Sequence, residues 1–431
     1  AVLVAGLARR PRLYPTLRSR HIALRQFSPG VPMSFSSNVE KLKPSATIAV
    51  STLAKKLAAE GRDIINLSAG EPDFDTPDFI SGSAIDGIRS GRTRYTPPAG
   101  IPALREAIAQ RLSERGSHDA EAEGVVVTAG AKQSLFNAIF TLFGPGDEVV
   151  IAAPYWTTYP ALVELARAEP VLLFGDESKG FKISADDLER SATAATRGLI
   201  LNTPCNPSGA VYSLAELGEI ADWCREHDVW LLSDEIYRDI HHDAEEAAPG
   251  ILSLDAGRLG PYVLIDGASK GFAMTGWRIG FSYCETGLAK KMTALQSQIT
   301  SNAATPSQMA ALAAYSDPES ARREQADMCV AFRRRRDLVC ARMRELLPGV
   351  PFVEPAGAFY LYFRVDGLFN GDVSNATEWC SRLLEEQGVA LVPGGAFGDD
   401  DWVRLSFATS DEILEEAMKR IASMAAAGAA S

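Results

Sequence analysis

Seven short apolar runs alternate with helical patterns in the middle of the chain, and this alternation limits the possible folds more than any other feature. The runs lie at residues 125–128, 148–152, 171–174, 198–201, 230–232, 262–265 and 280–284. Nearly continuous apolar strands are typical of a sheet covered on both faces, and helical connections favour parallel strands. We therefore predict an α/β fold with a mostly parallel seven-stranded sheet sandwiched by helices. Ligands of such sheets bind beyond the carboxyl ends of the strands.

The rest of the chain predicts a second, smaller domain. Two long helical patterns, at 288–315 and 319–347, are followed by strand patterns at 352–353, 358–363, 390–391 and 403–407 and by a helix from Asp411. A chain of 431 residues is long for a single core. We predict an N-terminal segment at 39–77 that joins the smaller domain, a large domain at 78–318 and a small α+β domain at 319–431.

Residues 1–38 differ from the rest in charge. They contain six arginines, and the first acidic residue of the chain is Glu40. An Arg- and Ser-containing segment without acids is typical of an organelle transit peptide, and we expect a disordered or transit-like leader. The alternative is that Met33 is the true start, which we favour because the chain does not begin with Met. We expect a cytoplasmic protein, or an organellar one if residues 1–32 are a genuine transit peptide.

The composition excludes several classes of partner. A formal net charge of -12 argues against nucleic acids and anionic membranes. The basic run from Arg333 to Arg336 lies in a helical pattern, and we interpret it as a solvated helix face. No apolar run approaches the roughly eighteen residues of a membrane helix. The six cysteines show no paired spacing, which predicts reduced thiols and no metal site.

One lysine lies where a charged side chain is unfavourable. Lys270 follows the strand pattern at 262–265 among small residues, in Gly267-Ala-Ser-Lys270. Burial lowers the pKa of a lysine, and a neutral amine is a nucleophile that can form a Schiff base with an aldehyde. Arg278, between two apolar residues, is equally unfavourable unless it meets a fixed anion such as a phosphate. Together they indicate an aldehyde that carries a phosphate.

Four other strand patterns end in residues that could bind a ligand. Small residues from Gly130 open a helix and could present N–H groups to a phosphate, although a routine turn is an equal alternative. Trp156 could stack on a planar ring or simply pack in the core. Asn206 lies in an Asn-Pro-x-Gly turn that is ordinary by itself. Asp234 ends an apolar strand and needs either a cationic partner or a role as a helix cap.

These motifs resemble those of a known family. The lysine segment Gly267-Ala-Ser-Lys270 through Gly276-Trp-Arg278-Ile-Gly280, with Asp234-Glu-Ile-Tyr237 and Asn206-Pro-Ser-Gly209, resembles class I (aspartate-type) aminotransferases, which are pyridoxal-phosphate enzymes of fold type I. The resemblance runs from about residue 39 to about residue 424. It implies an enzyme that transfers an amino group between an L-amino acid and a 2-oxo acid in two half-reactions.

The resemblance also implies a role for each residue that contacts the cofactor, pyridoxal 5'-phosphate. Lys270 would hold it as a Schiff base and then move the substrate proton, and Asp234 would pair with its pyridine nitrogen. Asn206 and Tyr237 would bond its phenolic oxygen, and Trp156 would lie over its ring. Its phosphate would be held by four residues of the chain and by a tyrosine that reaches across a homodimer: Gly130, Ala131, Lys132 and Arg278, with Tyr95 from the neighbouring subunit.

Further matches concern the substrate. Arg404, in an alternating strand, would bind the α-carboxylate with help from Gly70, Trp156 and Asn206. Lys132 and Thr47 resemble the pair by which one subgroup recognises a distal carboxylate. This predicts aspartate or glutamate as donor and 2-oxoglutarate or oxaloacetate as acceptor, with prephenate accepted by members of that subgroup.

Two positions depart from the pattern of the family. Ile299 stands where relatives usually carry a serine, and the loss of that hydroxyl would loosen the preference toward apolar or aromatic substrates. Ala131 replaces a second glycine, which changes little if only backbone donors are used.

Other functions are weighed against this one. A pyridoxal-phosphate lyase, of the β-elimination or aminocyclopropane-synthase type, would use nearly the same residues. An aminotransferase of broader aromatic or apolar specificity is a further alternative. A transcription regulator would need a basic DNA-binding module, for which residues 1–38 are too short and broken by prolines. A nucleotide-binding protein would need a G-x-G-x-x-G or P-loop after the first strand, and neither is present.

Overall fold

The computed structural model describes residues 35–42, 44, 46–371 and 373–429. The predicted leader lies outside the described residues except at 35–38. The helices are α1 Ser37–Glu40, α2 Ala46–Ala59, α3 Asp78–Arg89, α4 Pro102–Arg115, α5 Ala131–Leu142, α6 Tyr159–Leu165, α7 Ala185–Ser191, α8 Leu214–Glu226, α9 Ala268–Gly271, α10 Thr286–Ile299, α11 Thr305–Ser316, α12 Pro318–Leu346, α13 Ala376–Gln387 and α14 Asp411–Ala429. The strands are β1 Ile65–Asn66, β2 Val125–Thr128, β3 Glu148–Ala153, β4 Glu169–Phe174, β5 Thr196–Asn202, β6 Trp230–Asp234, β7 Tyr262–Gly267, β8 Gly280–Cys284, β9 Phe352–Val353, β10 Tyr360–Arg364, β11 Val389–Ala390, β12 Val392–Pro393 and β13 Trp402–Ser406.

The large sheet has seven strands in the order β2-β8-β7-β6-β5-β3-β4. Only β8 runs antiparallel to its neighbours, β2 and β7. Successive residues of a strand point to opposite faces, and both faces are apolar. Val127 and Leu264 pack with α3, α4, α8 and α11 on one face, whereas Val126 and Ile265 pack with α5, α6 and α10 on the other. The predicted mostly parallel seven-stranded sheet between helices is confirmed.

A smaller part of the molecule is built on the four-stranded antiparallel sheet β12-β13-β10-β9. Its core joins buried residues of α12, α13 and α14 to both central strands. The N-terminal segment adds to this part, because β1 pairs in parallel with β11 through Ile65 and Val389. This places the loop after β1 beside the large sheet. The predicted domain boundaries at 78 and 318 stay predictions.

Two local predictions were wrong, and one helix was missed. The helical pattern at 288–315 is two helices, because Ser301 is left-handed with φ 64° and Pro306 lies in the first turn of α11. A proline restricts the residue before it, so the first helix cannot run on into the second. Of the strand predicted at 390–391, Ala390 ends β11 and Leu391 lies in neither β11 nor β12, which belong to different sheets. The helix α13 was not predicted.

The interpretation of the arginine run as a solvated face was also wrong at Arg335. This side chain is buried, and its guanidinium donates to both oxygens of Asp73 at 2.7 and 2.8 Å. A helix pattern gives the direction of a side chain but not the segment that will cover it. All six cysteines, which lie within the described residues, are free thiols. Among the helices described, none combines the length and apolarity that crossing a membrane requires.

Candidate active site

A cavity of about 360 Å³ lies at the carboxyl edge of the large sheet, where the loop after β1 and the strand β13 close over it. It brings together residues that are separated by as much as 357 positions in the chain. Eleven predicted site residues line it: Thr47, Gly70, Ala131, Lys132, Trp156, Asn206, Asp234, Tyr237, Lys270, Arg278 and Arg404. The residues predicted at the strand ends therefore lie together at one place in the molecule.

Lys270 lies in the short helix α9, directly after β7. Its Nζ donates a hydrogen bond to the carbonyl oxygen of Gly70 and lies 5.5 Å from the ring centroid of Tyr237. Burial lowers the pKa of Lys270 to about 8; the charge of Glu71 opposes this, whereas those of Arg404 and Arg278 act in the same direction. A substantial fraction of this amine is therefore neutral near physiological pH, which makes it a nucleophile and a base.

Asp234 ends β6 and is 3% exposed. One carboxylate oxygen accepts a hydrogen bond from Tyr159 Oη at 2.6 Å, and the other accepts the N–H of Ile236 at 3.2 Å. Burial raises the pKa of Asp234 to about 6, although the bond from Tyr159 opposes this. No cation described in the structure forms an ion pair with it. Because a buried carboxylate is stabilised by an opposite charge, the site offers a partner to a protonated ring nitrogen.

Arg404 is buried in β13 on the far wall of the cavity. Its guanidinium donates to Asn206 Oδ1 at 2.9 Å and to the carbonyl oxygen of Ser68 at 2.7 Å, and its Nε has no partner. Within the described chain no carboxylate pairs with it. Burial lowers the pKa of Arg404, with nearby Tyr360 and Tyr237 acting in the opposite direction. A buried guanidinium without an anion is a binding site for a carboxylate.

The amino-terminal end of α5 forms the anion-binding wall. Gly130 precedes the helix with φ 88°, and a Cβ there would collide with the guanidinium of Arg278. No side chain caps the first turn, so its N–H groups can bind an anion. Arg278 lines the cavity and is held by the carbonyl oxygen of Thr275 at 2.9 Å. Its side chain is exposed, so its charge is less unfavourable than its position between two apolar residues indicated, and its role toward a phosphate stays a prediction.

Lys132 and Trp156 form a second cationic wall, near α2. The Nζ of Lys132 lies 4.9 Å from the ring centroid of Trp156. Partial burial lowers the pKa of Lys132, and the charge of Arg278 lowers it further. Thr47, in α2, lines the same cavity. This wall can receive a second anionic group of a ligand whose first carboxylate is bound at Arg404.

Three predicted positions lie elsewhere. Gly130 does not line the cavity but contacts Arg278 behind it. Tyr95 is 90% exposed and does not reach the cavity of its own chain, so its role toward a neighbouring subunit stays a prediction. Ile299 is 49% exposed at the end of α10 and does not line the cavity, so its effect on specificity stays a prediction as well.

The sequence analysis missed three residues of the site. Asn202, at the end of β5, donates to the carbonyl oxygen of Asp234 at 2.9 Å and accepts the N–H of Asn206 at 2.8 Å. The strand-end rule could have found it. Tyr159 lies three positions after Trp156, and the sequence analysis assigned it no role. Tyr360 gave no signal, since an apolar strand does not show which of its faces meets a ligand.

Comparison with known proteins agrees with this geometry. The family model described as "Aminotransferase class I and II" matches residues 62–421. The probable aspartate/prephenate aminotransferase of Aquifex aeolicus is 40% identical over 390 residues, which cover 90% of this chain and 97% of that protein. The aspartate/prephenate aminotransferase of Cereibacter sphaeroides is 41% identical over 394 residues, with 90% and 97% covered.

Solved structures give the same result. The aspartate aminotransferase from Thermus thermophilus with maleate superposes with a TM-score of 0.85 at 38% identity, covering 91% of this chain and all of that one. The aspartate aminotransferase from Rhizobium meliloti has a TM-score of 0.85 at 37% identity. The chain belongs to the class I and II aminotransferase family. Within it, the relatives described above are aspartate and aspartate/prephenate aminotransferases, and the present chain is an aminotransferase of that kind.

Proposed function

We propose that this protein uses pyridoxal 5'-phosphate, held at Lys270, to move the amino group of aspartate or glutamate to a 2-oxo acid, and that it works as a homodimer. The observation that carries the proposal is that four groups line one cavity. They are a lysine whose pKa is lowered, a buried carboxylate, an anion site at a helix terminus and a buried arginine that pairs with no anion of the described chain. The names of the relatives support the acidic substrates.

The residues present fit the cofactor. The first turn of α5 and Arg278 line the cavity and can hold a phosphate, and Gly130 leaves room for the guanidinium of Arg278, which a side chain at 130 would displace. Asp234 pairs with no cation of the described residues and is buried in the lining of the cavity, as a partner of a protonated pyridine nitrogen must be. Lys270 supplies the amine that condenses with an aldehyde. The fit therefore rests on three separate groups, each of which is incomplete without a ligand.

The chain contributes binding, orientation and proton transfer. Pyridoxal phosphate, when bound, supplies a conjugated ring that accepts the electron pair of the substrate Cα–H bond. Arg404 binds the α-carboxylate and so fixes the position of Cα. Once the substrate has displaced it, the amine of Lys270 would take the proton from Cα and pass it to the C4' carbon of the cofactor. Asp234 stabilises the charge that develops on the ring side of the cavity.

The proposal of an acidic substrate depends on the wall of the cavity that contains Lys132 and Thr47. Lys132 and Thr47 line the cavity with Arg404, so the site presents two cations that can bind the two carboxylates of a dicarboxylic amino acid. The Nζ of Lys132 lies over the ring of Trp156, near the charge of Arg278, and it forms no ion pair with a carboxylate of the described residues. A hydrogen bond from a charged group contributes about 1.5–3 kcal/mol, enough to favour aspartate over alanine by about tenfold or more.

The visible absorption spectrum of the purified protein tests the proposal. We expect a cofactor band that bleaches on addition of aspartate or glutamate without any oxo acid. The Lys270→Ala protein should slow this half-reaction by at least about 10³-fold. The Lys132→Met protein should slow the reaction with aspartate about tenfold and leave that with alanine within about twofold. A protein that takes up no cofactor, or a band that ignores acidic donors, would overturn the proposal or its substrate part.

A further inference from the structure

Tyr360 has no role assigned so far, yet it lies at the meeting point of three parts of the site. It is the first residue of β10, is fully buried and lines the cavity. Its neighbours are Tyr237 from the large sheet, Gly70 from the N-terminal segment and Arg404 from the adjacent strand.

The hydroxyl of Tyr360 is hydrogen-bonded to the hydroxyl of Tyr237 at 2.8 Å. Each hydroxyl can donate once, so the direction of this bond decides where the second proton points. Burial raises the pKa of both tyrosines, that of Tyr237 well above its usual value, and the charge of Arg404 opposes the increase at both. Either oxygen could donate in this bond. Tyr237 is the residue expected to donate to the phenolic oxygen of the cofactor, and a hydroxyl that donates there can only accept from its neighbour, so in the bound state Tyr360 donates to Tyr237. The proton of Tyr237 is then free to point into the cavity.

The ring of Tyr360 contacts the substrate side of the site. The guanidinium carbon of Arg404 lies 4.4 Å from its ring centroid, a cation–π contact that fixes the guanidinium plane. A Cβ on Gly70 would lie 3.0 Å from Tyr360 Oη, so the hydroxyl leaves little room beside this residue. The carbonyl oxygen of the same Gly70 accepts the hydrogen bond of Lys270. One side chain therefore contacts the arginine, the tyrosine and the loop that holds the lysine.

We propose that Tyr360 is a positioning residue that couples two parts of the reaction: its hydroxyl orients the O–H of Tyr237 toward the phenolic oxygen of the cofactor, and its ring orients Arg404 toward the substrate carboxylate. This inference rests on the proposed function, since it assigns Tyr237 and Arg404 their partners.

The chain contains a matched control for this hydroxyl. Tyr362 lies two residues further along β10, is equally buried and points to the same side of the strand. Its hydroxyl has no hydrogen-bond partner among the described residues, and its ring packs against Trp402 in a separate apolar cluster. The changes Tyr360→Phe and Tyr362→Phe remove the same atom from the same strand, one at the site and one away from it.

The test is a pH titration of the bound cofactor's absorption band, with kcat and the Kd of maleate, a dicarboxylate without an amino group. A hydrogen bond to the phenolic oxygen favours its charged form. In Tyr360→Phe we expect the titration midpoint to rise by about half a unit or more and kcat to fall about five- to tenfold. The Kd of maleate should stay within about twofold, because the ring remains. Tyr360→Leu, which loses the ring, should weaken maleate about fivefold or more.

Two outcomes would overturn the inference. One is a Tyr360→Phe protein that titrates and turns over as the unaltered protein does. The other is an equal change in Tyr362→Phe, which would indicate a general effect on the strand. A double-mutant cycle of Tyr237→Phe and Tyr360→Phe checks the coupling independently, because changes that act through one bond must be non-additive. An unaltered protein without a cofactor band would instead refute the proposed function.

Discussion

Some buried charges in this protein are paired with an opposite charge, whereas others have no counterion in the described chain. Arg335 lies over the rings of Phe74 and Phe332 and binds both oxygens of Asp73. Arg404 also lies over two aromatic rings, those of Tyr360 and Phe397, but no carboxylate of the described chain pairs with it. The two arginines share a type of surrounding and differ in one respect, the presence of an anion.

The carboxylates repeat the contrast. Asp239 is bound by Arg115 at 2.5 Å and by Gln325 at 2.8 Å; its burial would raise its pKa, yet Arg115 and Arg111 hold the pKa below its usual value. Asp234 has a tyrosine and a backbone N–H instead of a cation, and burial raises its pKa to about 6. Of these four residues, the two paired inside the protein, Arg335 and Asp239, hold segments together. The two without a counterion in the described chain, Arg404 and Asp234, line the cavity where a charged ligand would bind.

The largest expected effect comes from replacing each of the two arginines, which tests whether only the one without an anion binds substrate. Arg404→Gln should raise the KM for aspartate and for the oxo acid about 100-fold, because it removes the cation that binds the α-carboxylate, and it should change the Tm little. Arg335→Gln should leave KM within about twofold and lower the stability by roughly 2 kcal/mol, since it leaves Asp73 without its cation. Steady-state kinetics and thermal unfolding of both proteins measure this. Equal KM effects in the two variants would show that the contrast has no functional meaning.

A second, intermediate effect is expected at Lys270, another buried charge in the cavity, in the pH dependence of cofactor binding. Because burial lowers its pKa to about 8, the amine of the cofactor-free protein becomes neutral as the pH rises through that value. The rate at which pyridoxal phosphate binds covalently should rise about tenfold per pH unit below 8 and level off above it. Stopped-flow absorbance over this range measures the rate. Arg404→Gln serves as the control, since removing its charge should move the midpoint to higher pH. A rate that keeps rising toward the usual pKa of lysine would contradict the assignment.

The smallest expected effect concerns Asp234. Tyr159 donates to its carboxylate and so lowers the pKa that burial raises. Tyr159→Phe should therefore move this pKa further upward and weaken cofactor binding about fivefold at neutral pH, with the loss growing as the pH falls. Equilibrium titration of cofactor fluorescence at several pH values measures the affinity. Tyr155→Phe, in the same loop but outside the cavity, should bind as the unaltered protein does. A pH-independent loss in Tyr159→Phe would contradict the electrostatic reason.

Much of the site was predictable because it follows from local rules. Asp234 and Lys270 each follow an apolar strand, and parallel strands bring their carboxyl ends to one edge of the sheet. The resemblance to a family then assigned roles that residue chemistry left open, such as the choice of Asp234 over Glu235. Glu235 is also fully buried, but Arg238 lies 3.5 Å from its carboxylate, so it belongs with the paired charges.

Local patterns in the sequence were enough to predict which segments form buried strands, at which edge of the sheet a ligand binds and which kinds of side chain lie there. Apolar periodicity and the residues at strand ends are local properties. Only the tertiary structure decided which charges are paired. Asp73 and Arg335 lie 262 residues apart, and the sequence around either residue does not indicate that the two pair. The same holds for Tyr360 and Tyr237, 123 residues apart, whose contact depends on how the small sheet lies against the large one. The partner of a buried polar group is set by packing between distant segments, and packing is what a local pattern does not contain.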